Sequence, residues 1–206
     1  MFESEKPVAY EQVFEQLMAD LGRIDLADRA AELGCRMAAA GLIIPFFNSE
    51  YLVNESGVTD LQGAVPAFTD RIVVCYYLLH YGRGETTGEW VSYRDFKDSA
   101  FFMSSFEKNV HQRTAEFFSG KLDLLRQCSA ALGGETVTGM LNSDLCHRYQ
   151  ALPRVPLLLS FYDQDEDFPA SLTVFFDRSG SEFLDMECLA VLGWILSDKL
   201  IQAAKP

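Results

Sequence analysis

Residues 152–200 read LPRVPLLLSFYDQDEDFPASLTVFFDRSGSEFLDMECLAVLGWILSDKL, and no other stretch of the chain constrains the fold as much. Two apolar runs, 155–162 and 171–176, flank an acidic turn over 163–169 and predict paired strands. A helix comes next. Asp185 can cap it, and Leu189, Leu192, Leu196 and Leu200 recur at helical spacing as an apolar stripe.

Upstream, Val13, Leu17 and Leu21, with Phe14 and Met18 beside them, predict a helix over 8–21. A second helix is expected over 26–40, stopped by Gly41. Apolar runs 42–47 and 51–53 around Asn48-Ser49-Glu50 read as a hairpin, with Pro45 confined to an edge or a bulge. Residues 68–81 are apolar nearly all round and predict the central helix of the core. GRGETTG at 82–88 reads as a loop, because it comes after a helix and lacks the spacing of a phosphate cradle. Residues 90–96 alternate like a strand, with Trp90, Ser92 and Arg94 on one side and Val91 and Tyr93 on the other. A helical region over 100–132, interrupted near Ser119-Gly120, is ended by Gly133-Gly134. Asn142 or Ser143 can cap a short helix running to residue 149. These elements predict a single α+β domain over 1–206, a mostly antiparallel sheet of hairpins flanked by helices, with a helical N-terminal part at 1–40 and the core domain at 41–206.

Composition excludes several function classes. Thirty acidic against seventeen basic side chains give a formal charge of −13, a field that repels phosphate backbones, so nucleic acid is not an expected partner. The apolar run 72–79 is far shorter than the roughly 18 residues of a membrane span. The start, MFESEKPVAY, is polar and acidic where an export signal is basic and then apolar. Cys35, Cys75, Cys128, Cys146 and Cys188 are odd in number and widely spaced, which points to reduced thiols and a cytoplasmic protein.

Six segments taken together, GEWVSYRDF at 88–96, ALGG at 131–134, LPRVPLLL at 152–159, DEDFPA at 165–170, VFFD at 174–177 and LAVLG at 189–193, resemble one family of microbial proteins known only as a domain of unknown function. The resemblance covers roughly residues 33–200. It implies occurrence largely in anaerobes and, in some members, an added iron–sulfur module, and it implies no established activity. This chain departs from the cluster-bearing members in having no closely spaced cysteine quartet.

The chemistry-bearing residues form no motif of high specificity. Asp163, Asp165 and Asp167 have the spacing that begins a calcium loop, but Phe168 and Val174 stand where it needs a glycine and a bidentate glutamate, so a solvated acidic turn is expected. His80, His111 and His147 lack metal spacing. His111 and Arg113, in NVHQR, could set an anion beside a titratable group. Trp90, Tyr93, Phe96, Phe101, Phe102 and Phe106, with Arg94 among them, could line an apolar pocket with one anion anchor, or could be core. Arg154 is a second candidate anchor.

These readings predict a non-catalytic module that binds a small ligand, a cofactor or a partner protein through Trp90, Tyr93, Arg94, His111, Arg113 and Arg154. An enzyme in which His111, Arg113 and an acid from the 163–167 turn meet in a cleft is the first alternative, and an interaction domain the second. No cofactor is specified.

Overall fold

The computed structural model describes residues 5–80 and 82–205, with side chains from residue 11 onward. Tyr81, the expected end of the third helix, and the first four residues of the polar start lie outside the described residues. Helices α1 (Glu5–Leu21) and α2 (Leu26–Leu33) come first, with the Asp25 carboxylate accepting the Ala27 N–H at 2.8 Å as the α2 cap. The sequence predicts α2 to run to residue 40, but it stops at Leu33. Gly34 takes the left-handed conformation there, φ 72°, and turns the chain out of the helix. The chain then builds an antiparallel meander of β1 (Arg36–Ala38), β2 (Gly41–Phe46), β3 (Ser49–Asn54) and β4 (Gly57–Asp60). Strand β1 reaches only to the partner of Ile43, so Pro45 pairs on one side alone, with Glu50 of β3.

Helix α3 (Phe68–Leu79) leads through an irregular loop to β5 (Trp90–Ser92). The alternation expected to residue 96 ends here. Ser92 donates its N–H and its hydroxyl to Asp95 Oδ2 at 2.9 and 2.8 Å, and this cap folds Tyr93–Asp95 into a 3₁₀ turn, so Trp90 and Arg94 do not share a pleated face. Next come α4 (Ala100–Phe106), a π-helical stretch (Glu107–Gln112), α5 (Arg113–Phe118) and, after the expected break, α6 (Leu122–Ala131).

Where a short helix is expected before residue 149, the chain instead forms β6 (Glu135–Thr136) and β7 (Leu145–Leu152). His147, Tyr149 and Ala151 are buried while Arg148 and Gln150 between them are not, and pairing along β8 (Val155–Tyr162) overrides the local capping signals. After β9 (Ser171–Asp177) come α7 (Gly180–Phe183) and α8 (Met186–Ala203), the last capped by Asp185, which accepts the Cys188 N–H at 2.7 Å. The second sheet has the order β5-β9-β8-β7-β6, antiparallel throughout. The protein is thus an α+β domain of antiparallel hairpins flanked by helices.

Helix α8, rather than α3, occupies the centre. Leu189, Leu192, Leu196 and Leu200 are fully buried, and α3, α4, α5, α6 and α7 all pack on this one helix. Approach is close at Gly193, where a Cβ would come within 2.5 Å of the Phe106 ring. Both sheets and the helices around them share one contiguous apolar core, and a hydrogen bond from the Phe47 N–H to the Ala151 carbonyl, 3.0 Å, ties the tip of the first sheet to the second.

Leu196→Ala is expected to lower the unfolding free energy by about 2–5 kcal/mol, the usual range when a buried leucine leaves a cavity. Urea denaturation measures it, and a loss below about half a kcal/mol would mean that this face of α8 repacks freely.

Candidate functional site

Two charged side chains stand out in helices whose buried faces are mostly apolar: the buried Asp70 in the first turn of α3 and the half-buried Lys199 near the end of α8. Folding brings them together. Lys199 Nζ lies 3.0 Å from Asp70 Oδ2, and Tyr51 of β3 donates its hydroxyl to the same oxygen at 2.7 Å. Asp70 is only 3% exposed, a position where a lone carboxylate would be strongly destabilising; the ammonium and the phenol compensate it. Burial, followed by the hydrogen bond to Asp70 and the charges of Asp70 and Asp60, pushes the Tyr51 phenol far above its ordinary range. Tyr51 is therefore a fixed neutral donor.

The β2–β3 turn stands over this network and has a hollow on each side. One, of about 680 Å³, opens over Tyr51 between Pro45, Phe47 and Glu50 and the segment from Asp60 to Pro66. The other, of about 320 Å³, has Lys199 and Gln202 in its wall and shares Phe47, Asn48 and Ser49 with the first. Phe47 takes φ 51°, which for a bulky residue is strained by about 1–3 kcal/mol. Its surroundings hold it there: its N–H is bonded to Ala151, its ring packs edge-on to Phe46 at 5.2 Å, and the neighbouring Asn48 amide donates to the Ala131 carbonyl at 2.9 Å. The tip of the hairpin is thus pinned to β7 and α6.

The residues named from sequence are dispersed. Tyr93 is fully buried, stacked on Phe106 at 4.5 Å, with its hydroxyl donating to the Met186 carbonyl at 2.7 Å. Phe96 and Phe106 are likewise core, whereas Phe101 is 87% exposed. Trp90 is half-buried opposite Asp177, and Arg94 is exposed. Arg113 pairs with Asp198 at 2.5 Å on the surface, and Arg154 pairs with Glu85. The fold brings Tyr93 and His111 together around the Phe106 ring, but it engages Arg113 and Arg154 elsewhere.

His111 has a structural explanation. Strand β5 stops opposite Phe175, so the Val174 N–H on that edge of β9 lacks a strand partner, and His111 Nε2 accepts it at 3.1 Å. Its Nδ1–H donates to Glu107 Oε2 at 2.8 Å, which fixes the tautomer. Burial pushes the His111 pKa down and Glu107 pulls the other way, with the net shift downward, as an accepting Nε2 requires.

Other polar clusters also turn inward. Ser129 Oγ lies 2.5 Å from both His147 Nδ1 and the Tyr149 hydroxyl, but Ser129 is fully buried and a Cβ at Gly134 would come within 2.3 Å of that oxygen, so no reactant atom fits beside it. Asp177, almost fully buried, accepts from Thr87 (N–H 2.9 Å, hydroxyl 2.8 Å), the Gly88 N–H (2.6 Å) and Ser179 (N–H 3.0 Å, hydroxyl 2.6 Å), anchoring the loop before β5. Burial raises its pKa, but the hydrogen bonds from Ser179 and Thr87 outweigh that and lower it to about 2. In the acidic turn, Asp163 accepts the Gly120 N–H at 2.7 Å, and Asp165 accepts those of Asp167 and Phe168 at 2.9 and 2.7 Å. Among the described residues no three His, Cys, Asp or Glu side chains are grouped as metal ligands would be.

Fold and site together define an α+β protein of two antiparallel sheets and helices gathered on a buried helix, with an ion network beneath a hollowed hairpin end. The chain belongs to the family described as domain of unknown function (DUF3786), which it matches over residues 25–199, a span that takes in Tyr51, Asp70 and Lys199. No curated protein and no solved structure matches it. No helix among the described residues is long and apolar enough to cross a membrane.

Lys199→Met removes the counterion of a buried carboxylate and is expected to cost about 3 kcal/mol, while the double variant Asp70→Asn/Lys199→Met loses less than the two single changes summed. Urea denaturation of the four proteins tests the coupling, and additive losses would refute it. A second expectation concerns acid. Below about pH 6.5 the unfolded chain takes up a proton that folded His111 refuses, so its contribution is complete above that pH and declines as pH falls; His147, also lowered by burial, acts in the same direction. His111→Gln should flatten part of the loss in unfolding free energy between about pH 7 and 5.

Proposed function

We propose that the protein is a non-catalytic binding module and that its ligand sits at the hairpin end of the first sheet, in the 680 Å³ hollow beside Phe47 and Tyr51. The observation that carries this reading is the strained, pinned turn at Phe47 over the Tyr51–Asp70–Lys199 network. A concavity of ligand size is held open there at some expense of stability, as rigid binding sites often are. The ligand is cationic and partly apolar. Glu50 and Asp60 are the charged side chains of the described lining, and Leu61 and Val65 add exposed apolar surface. Binding is preferred over catalysis because the groups suited to proton transfer are already engaged: both nitrogens of His111 bond protein groups, and Ser129 with His147 is enclosed.

A second reading keeps the surface of Trp90, Arg94 and the neighbouring helices, favoured by the exposed Arg94 and the exposed ring of Phe101. An NMR fragment screen on the ¹⁵N-labelled protein separates the two. Hits that are cationic and shift amides over residues 47–51 and 60–65 are expected. Anionic hits around residues 90–101 would replace this site with the second, and no hits at either would defeat the binding reading.

A further inference from the structure

We infer that the occupant of the hairpin-end hollow is a basic, partly apolar segment of a partner protein, an inference that rests on the binding reading above. Shape comes first. The hollow is open to solvent rather than enclosed, and its outer rim is the 61–66 segment, where Val65 is 67% and Leu61 46% exposed, large apolar side chains that a covering chain would bury better than a small molecule. Both belong to one rim and offer apolar contact to a segment laid along it.

Charge comes second. No Lys or Arg is among the described residues lining the hollow, whereas Glu50 and Asp60 are. The nearby cations are already committed: Lys199 to Asp70 at 3.0 Å, and Arg36 to Glu50 at 3.3 Å in an exposed pair that solvent weakens. The whole chain carries −13, so its field draws a basic partner toward it, and the hollow supplies the apolar contact that converts attraction into a specific site. The rim is preorganised. Asp60 Oδ1 accepts the Gln62 and Ala64 N–H groups at 2.9 and 2.8 Å, and its own N–H donates to the Ala64 carbonyl at 2.8 Å.

The test uses fluorescein-labelled peptides of seven residues, one alternating lysine with leucine, one alternating glutamate with leucine and one alternating lysine with glycine, read by anisotropy with the intact protein. The lysine–leucine peptide should bind and the other two should not. Glu50→Lys and Val65→Lys, both at accessible positions, should each weaken it by about tenfold or more with an unchanged melting temperature, whereas Glu116→Lys, at an exposed position of α5, should not. Equal weakening by Glu116→Lys, or equal binding of the lysine–glycine peptide, would reduce the effect to attraction by net charge and overturn the inference. Sedimentation that reveals a dimer lost in Val65→Lys would assign the face to a second copy of this chain and overturn it too. Should cationic fragments occupy the hollow while no peptide binds, the partner inference fails and the binding reading stands.

Discussion

Helix α8 carries apolar side chains around most of its circumference, and such a helix is stable only when other elements cover it on nearly every side. The topology is a solution to that requirement. Helices α3 to α7 gather on α8, and the two sheets close the same core from outside. Two polar side chains of α8 are satisfied by neighbouring helices: Ser197 shares a 2.6 Å hydrogen bond with Thr114 of α5, and Lys199 is held by Asp70 of α3. Because one lysine both interrupts the stripe and meets a carboxylate from another helix, the candidate site is a by-product of how the core closes, rather than an addition to its surface.

Backbone groups left over where strands end are met by side chains instead of by more sheet. His111 takes the Val174 N–H beyond the end of β5, and the π-helical register of Glu107–Gln112 is what carries the imidazole to it. Asp177 does the same for the loop before β5, gathering donors from Thr87, Gly88 and Ser179 on one carboxylate. Leaving such groups unpaired in the interior costs about 1–3 kcal/mol each, which is enough to explain why titratable residues sit there without any catalytic duty.

The final third of the chain was legible because its strands, turn and helix carry their own periodicity and cap, from Val155 to the leucine stripe ending at Leu200. Strand β7 was not, since Asn142 and Ser143 signal a cap and only pairing with β8 selects the extended form. Gly34 and Gly41 look alike in sequence as helix stops, and only the backbone conformation after Leu33 decides between them. At the site, neither Asp70 nor Lys199 was singled out from sequence; each is a charge inside a largely apolar helix, a signal that could mark it alone but says nothing of a partner 129 residues away. Phe47 was invisible in principle, because hairpin chemistry leads one to expect glycine or asparagine at a left-handed turn position.

The position of α8 along the chain has a consequence for how the protein comes to exist. Ribosomes add residues from the N-terminus at about 5–20 per second, so α1 to α7 and both sheets emerge before the helix on which they converge. Helix α3 can close early against α1, but until Leu189 and its neighbours appear the faces of α3, α4 and α6 that meet α8 stay uncovered, and β5 must wait for β9, more than eighty residues later. The nascent chain thus keeps the α8-facing part of its future interior uncovered until the last elements emerge, a state that chaperones bind and that aggregation exploits. In the cell, therefore, the yield of this protein depends on what shields α3 to α6 during those seconds as well as on the stability of the finished fold.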